Sequence, residues 1–121
     1  MGENIWMSGN KNDQEKPMMA LIPPYAEEEM AKAFTYGAQK YGTHNWLGGI
    51  SVTRLLSASR RHINAVLKGE DIDEESGNHH LGHALASIAM AYETLKMRPD
   101  LDDRAPYKKK DTEENKNNEW D

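Results

Sequence analysis

Apolar residues recur every three to four positions through the middle of this 121-residue chain, and no stretch alternates as a strand would. Met30, Ala33, Phe34, Ala38 and Tyr41 lie on one helical face. Pro23 and Pro24 exclude helix before them and suit a first turn after them. Glu27, Glu28 and Glu29 then sit where a helix dipole favours negative charge. The spacing predicts a first helix over about 25–40, ended by Gly42. A second runs from a cap at Ser51 or Thr53 to about 68, with Gly69 as its stop. Its buried stripe is Val52, Leu55, Leu56, Ser59, Ile63, Val66 and Leu67. A third covers about 78–97 and is closed by Pro99.

The third helix has two apolar stripes. Leu81, Ala84, Leu85, Ile88, Tyr92 and Leu95 cluster within about 60° of one direction at the helical repeat. His80, His83, Ser87, Met90, Ala91 and Thr94 form a second stripe. No charged residue falls between Leu81 and Tyr92. A helix with no wet face belongs at the centre of an assembly. The expected fold class is all-α, a small helical bundle completed by homo-oligomerisation.

Composition narrows this picture. Hydrophobic residues make up 37% of the chain, and the mean hydropathy is -0.89. Polarity concentrates at the ends: residues 1–16 read as a flexible arm, and 99–121 as a solvated polar tail with 5 basic and 8 acidic side chains. That leaves 17–98 to form the core, and a unit of that size buries only about 60–65% of its surface. A second copy completing the core is the expectation. Trp6 could dock on the body; Lys108, Lys109, Lys110 and Trp120 read as tail.

Net charge is -5, and 17–98 carries 8 basic against 9 acidic side chains, a net of -1. Duplex nucleic acid needs a basic excess and is not the expected partner. There is no cysteine, so no disulfide framework and no thiolate metal site. No leader core or membrane span is legible, and a soluble, cytoplasmic protein is expected.

The candidate chemistry lies between the second and third helices. Residues 70–75 hold five carboxylates, and three of the five histidines fall within 79–83. His62 lies just upstream. Groups this crowded repel or desolvate one another unless a cation compensates. His80 and His83, three apart, stand on adjacent turns of one side. They could share a metal, or divide between metal and substrate, with carboxylate oxygens completing the set. Mixed oxygen and nitrogen donors suit Mn²⁺, and oxygen alone suits Mg²⁺. His79 reads as a helix-start side chain and Glu74 as a solvated acid. Between the first two helices, His44, Asn45 and Trp46 sit in a glycine-punctuated loop. Trp46 could cap the core, or stack on a base while Asn45 hydrogen-bonds it. Lys40 and Arg61 are phosphate candidates. No Walker loop, nucleophile elbow or dinucleotide fingerprint is present. Acids and histidines without an activated nucleophile point to hydrolysis by water.

Four blocks in fixed order carry a resemblance. They are Tyr36-Gly37-Ala38-Gln39-Lys40-Tyr41-Gly42-Thr43-His44-Asn45-Trp46, Arg61-His62, Gly69-Glu70-Asp71-Ile72-Asp73-Glu74-Glu75-Ser76-Gly77 and His80-Leu81-Gly82-His83-Ala84. Across about residues 11–96 the chain resembles the dATP/dGTP diphosphohydrolase family, the MazZ-like branch of the MazG-type all-α nucleoside triphosphate pyrophosphohydrolases. The resemblance implies conversion of a purine deoxynucleoside triphosphate, dGTP or dATP, to monophosphate and pyrophosphate in phage nucleotide metabolism. It also implies Mg²⁺ or Mn²⁺ and a homodimer or homotetramer. The chain departs from the usual MazG pattern of Glu-Glu-x-x-Glu and Glu-x-x-Asp on successive helices. Here His80-x-x-His83 stands on the second, and the acids lie in the connection.

The expected site therefore has Glu70, Asp73 and Glu75 as catalytic carboxylates. The metal set is drawn from His62, Glu70, Asp73, Glu75, His80 and His83. Lys40 and Arg61 hold phosphates, and Asn45 and Trp46 read the base. Two alternatives stand beside it: a histidine–aspartate site releasing triphosphate, and a non-hydrolytic nucleotide-binding protein of phage origin. A purely structural oligomer would leave the histidine stripe without a reason.

Overall fold

The computed structural model describes residues 9–10 and 12–108. Among them are three α-helices: α1 (Pro24–Tyr41), α2 (Val52–Leu67) and α3 (His80–Met97). Short 3-10 turns at Met19–Leu21, Asn45–Gly48 and Pro99–Leu101 flank them. The one sheet-like contact among the described residues is an isolated antiparallel bridge between Ile72 and His79. The all-α class is as expected. No described helix is long and apolar enough to cross a membrane. Trp6, Lys109, Lys110 and Trp120 lie outside the described residues.

α1 and α2 both pack on α3 and scarcely on each other. The contacts are made by small side chains. Ala33, Ala65, Ala84, Ala86 and Ala91 are buried, together with Ser59, Ser87 and Thr94, and among the described residues Val52 and Leu55 are the only larger apolar side chains buried with them. Such residues let backbones approach closely. At Gly82 the approach is extreme, because a Cβ built there would lie 2.5 Å from the Glu29 carbonyl oxygen. Between α2 and α3, Ser59 Oγ donates to the Ala84 carbonyl at 3.1 Å, which satisfies the hydroxyl where water cannot reach.

Much of the apolar surface expected to be buried is not. Leu56, Ile63 and Leu67 on α2, and Leu81, Leu85, Ile88 and Tyr92 on α3, are exposed, as is Tyr41 at the end of α1. On α2 only Val52, Leu55 and Ser59 of the expected stripe are buried, and Val66 is half-buried. The stripe is wider than the surface one neighbouring helix can cover.

The capping of α2 also differs from expectation. Ser51 holds the N-cap position, but its side chain makes no capping bond. Asp103 does the work from beyond α3, accepting from Thr53 N–H at 2.9 Å and from Thr53 Oγ1 at 2.5 Å. Arg98 donates to the Leu47 carbonyl at 3.1 Å. The first residues assigned above to the polar tail are therefore tied to the body. α3 is capped by His79, whose Nδ1 accepts from Leu81 N–H at 3.0 Å, the helix-start role expected for it.

Candidate functional site

The gap between α1 and α2, floored by α3, is a cavity of about 560 Å³. That is within the usual size range for a small-molecule site. Its aromatic end holds Phe34 and Trp46, with ring centroids 6.5 Å apart and planes tilted by 52°. Trp46 and Asn45 arrive on a 3-10 turn whose preceding residue, His44, is left-handed (φ 60°), an uncommon conformation for a non-glycine residue. Gly37 lies on the α1 wall. A glycine inside a helix costs about 1 kcal/mol relative to alanine, and a Cβ built at Gly37 would meet nothing within 4 Å. No protein atom demands glycine there, so the absent methyl simply leaves room in the cavity.

The polar end is built by the 70–79 connection. Asp73 N–H donates to the Asn78 carbonyl at 2.8 Å, and Gly77 N–H to the Asp73 carbonyl at 2.7 Å. Gly77 adopts φ +77°, where a Cβ would be strained. This turn points Asp73 inward. Ser76 Oγ lies 2.8 Å from Asp73 Oδ2 and 2.7 Å from His83 Nε2, and it accepts from Asn78 N–H at 3.1 Å. A hydroxyl has one hydrogen, and the carboxylate can only accept. The hydroxyl proton therefore goes to Asp73, and His83 donates from Nε2. Nδ1 is left as the basic nitrogen of His83.

His62 stacks on His83, with centroids 4.9 Å apart and planes 18° apart, and its Nδ1 lies 2.8 Å from His80 Nδ1. One ring of that pair donates and the other accepts, so at least one is neutral. Burial pushes His62 below its ordinary value, and the neighbouring His83 and His80 add to this. Burial likewise pushes His83 down, against an upward pull from Asp73. Burial also raises Asp73, but hydrogen bonds from the Ser76 hydroxyl and N–H more than offset it, leaving the carboxylate below its usual range. At neutral pH the imidazoles of His62 and His83 are neutral beside the ionised carboxylate of Asp73.

At the mouth, Glu75 accepts from Tyr36 Oη at 2.6 Å and pairs with Lys40. The Lys40 and Tyr36 bonds hold Glu75 below the usual carboxylate range.

Of the residues singled out from sequence, Lys40, Asn45, Trp46, His62, Asp73, Glu75 and His83 line this one cavity. His80 joins it through His62. Glu70 and Arg61 are exposed and do not line it. Glu70 comes before the turn that points Asp73 inward, and Arg61 is about 100° around α2 from His62. Tyr36, Ser76 and Gly37 were not singled out. Tyr36 and Lys40 share an i,i+4 face, and Asp-x-x-Ser is a local turn pattern. Those two signals could have found Tyr36 and Ser76.

Nitrogen and oxygen donors for a divalent ion are present, but His62 and His80 bond to each other, His83 and Asp73 to Ser76, and Glu75 to Tyr36 and Lys40. Among the described residues no three His, Asp or Glu side chains stand together as a ready ion seat.

The all-helical fold thus brings an aromatic wall, histidines and a carboxylate together around one cavity of the described residues. Residues 7–104 match the family model described as dATP/dGTP diphosphohydrolase, N-terminal, and the chain belongs to that family. A dATP/dGTP diphosphohydrolase of Salmonella phage PMBT28 is 42% identical over 98 residues, covering 81% of this chain and 33% of the relative. The chain thus spans about one third of that relative's length. No solved structure matches.

Proposed function

We propose that the cavity binds a purine deoxynucleoside triphosphate and that the domain hydrolyses it to the monophosphate and pyrophosphate, as part of phage nucleotide metabolism. The observation that carries this reading is the joining of two ends in one 560 Å³ cavity, an aromatic wall at Phe34 and Trp46 and the Asp73–Ser76–His83 chain. The base stacks on the wall, with Asn45 at its edge. Gly37 leaves room beside it. Lys40 meets the phosphates.

Water attacks the α-phosphorus, forming a new P–O bond as the bond to the bridging oxygen breaks and pyrophosphate leaves. His83 takes the water's proton at Nδ1 while keeping its Nε2–H bond to Ser76, and Asp73 behind Ser76 stabilises the imidazolium. Asp73 and Glu75 outnumber Lys40 among the charged lining residues. A triphosphate therefore enters with its own divalent cation, Mg²⁺ or Mn²⁺, which offsets that charge.

The exposed face of α3 and α2 is the surface on which a second copy completes the fold. A body whose buried apolar residues are mostly alanine, with eight large apolar residues of α2 and α3 left outside, gains most by covering them.

The test of the activity is incubation with dGTP and with dATP in Mg²⁺ or Mn²⁺, followed by chromatography of the products. The reading expects the monophosphate and pyrophosphate. Nucleoside with triphosphate, or nucleotide recovered intact, contradicts it.

A further inference from the structure

We propose that Lys40 Nζ and Tyr36 Oη form the seat for a ligand phosphate, and that Glu75 occupies this seat in the free domain and is displaced when the phosphate arrives. The proposal rests on the nucleotide reading of the cavity and adds how the phosphate end is recognised and guarded.

The geometry is that of a single anion site. Tyr36 and Lys40 are four apart on α1, so they project from one face. Both donate to the same atom, Oε2 of Glu75. An ammonium and a phenol converging on one anionic oxygen is what a phosphate oxygen would receive. The two donors stand on a helix, whereas Glu75 comes from the connection 35 residues on, with its side chain 59% exposed. Glu75 can turn into water without disturbing the fold. The donors stay where they are.

Charge makes the exchange necessary. Lys40 is the only lysine or arginine among the residues lining the cavity. Two anions on one exposed ammonium repel each other, so phosphate and Glu75 compete. The seat then discriminates by chemistry: a phosphorylated ligand displaces Glu75, and a bare nucleoside, with no anion to offer, leaves the pair closed.

Titration calorimetry with inorganic pyrophosphate in EDTA tests this directly. Glu75→Gln removes the competitor's charge and is expected to bind pyrophosphate about 3- to 5-fold more tightly than wild type, the range of an exposed ion pair. Glu75→Asp, too short to reach both donors, should tighten binding in the same direction. Lys40→Met should weaken it about tenfold. In the Lys40→Met background, Glu75→Gln should bring no gain. Equal or weaker binding by both Glu75 variants overturns the proposal. So does an equal gain with and without Lys40, which would mean that Glu75 acts only by general repulsion. Parallel titrations of wild type with dGTP and deoxyguanosine separate the two readings. If dGTP binds but the pyrophosphate pattern fails, the exchange falls and the nucleotide site stands. If the pyrophosphate pattern holds and neither nucleoside compound binds, the seat stands and the nucleotide reading falls.

Discussion

α3 has two opposite faces that differ in burial. His83, Ser87 and Met90 fall within about 60° on one side, and Leu81, Leu85, Ile88 and Tyr92 within about 60° on the other. α1 and α2 pack on its flanks and shelter the first face, where Ser87 is buried, but leave the second open. The first face has walls: the two helices rise beside it and make a cavity. The second has none; its four residues are 37–61% exposed. Burial within one chain is spent on alanine, serine and threonine, while the large apolar residues lie outside. One helix can thus floor a cavity on one side and expose large apolar residues on the other, because its flanking contacts are made by small residues. The two faces should fail separately when broken.

The largest effect is expected at the cavity. His83→Gln should lower kcat for dGTP about 10²- to 10⁴-fold, the range for a lost general base, with nucleotide affinity within about threefold, and without altering subunit association. In the parent protein the acidic limb of the pH–rate profile should lie below the ordinary histidine value of about 6.5, because burial lowers His83 and His62. Stability follows the same sign. A histidine depressed in the fold stays neutral while the unfolded chain takes up a proton. Stability is therefore full above about 6.5 and declines as pH falls towards the folded values. Melting temperature against pH checks it, and His83→Gln should flatten the decline.

At the opposite face, Leu85→Glu combined with Ile88→Glu should convert the assembly to monomer in light scattering and lower the melting temperature. A monomeric parent protein, or variants of unchanged mass, would remove the association role from this face.

The flank between the faces should show an intermediate effect. Gly82→Ala forces a methyl against the Glu29 backbone and should destabilise by about 1–3 kcal/mol in urea unfolding, the usual cost of overpacking.

The smallest effect is the sharpest discriminator. Gly37→Ala meets no protein atom and should stabilise the helix by about 0.5–1 kcal/mol, yet weaken nucleotide binding, because the methyl enters the cavity. A variant that is both more stable and equally avid would mean that Gly37 is not reserved for the ligand.

The helices were legible because their apolar residues repeat at the helical period, and the ends of all three fall close to expectation. The corner of His62, Asp73 and His83 was legible too, since helix phase alone sets two of the three. What was not legible depended on phase within wide stripes or on contacts distant in sequence. α3 is apolar on two sides, and period cannot say which side a neighbour covers. The carboxylates of 70–75 lie in a connection without a period, so Asp73 and Glu75 differ from Glu70 only through the turn closed at Gly77. Arg61 neighbours His62 in sequence but projects elsewhere. Asp103 caps α2 from 50 residues away, beyond any local pattern.

The division between the two faces can be observed in a single measurement, a backbone-amide NMR titration of the protein with dGTP. Shifts concentrated at Tyr36, Gly37, Trp46, Glu75 and His83, with Leu81, Leu85, Ile88 and Tyr92 unmoved, are the expected result. Shifts centred on Leu81 to Tyr92, or none anywhere at millimolar dGTP, would contradict it.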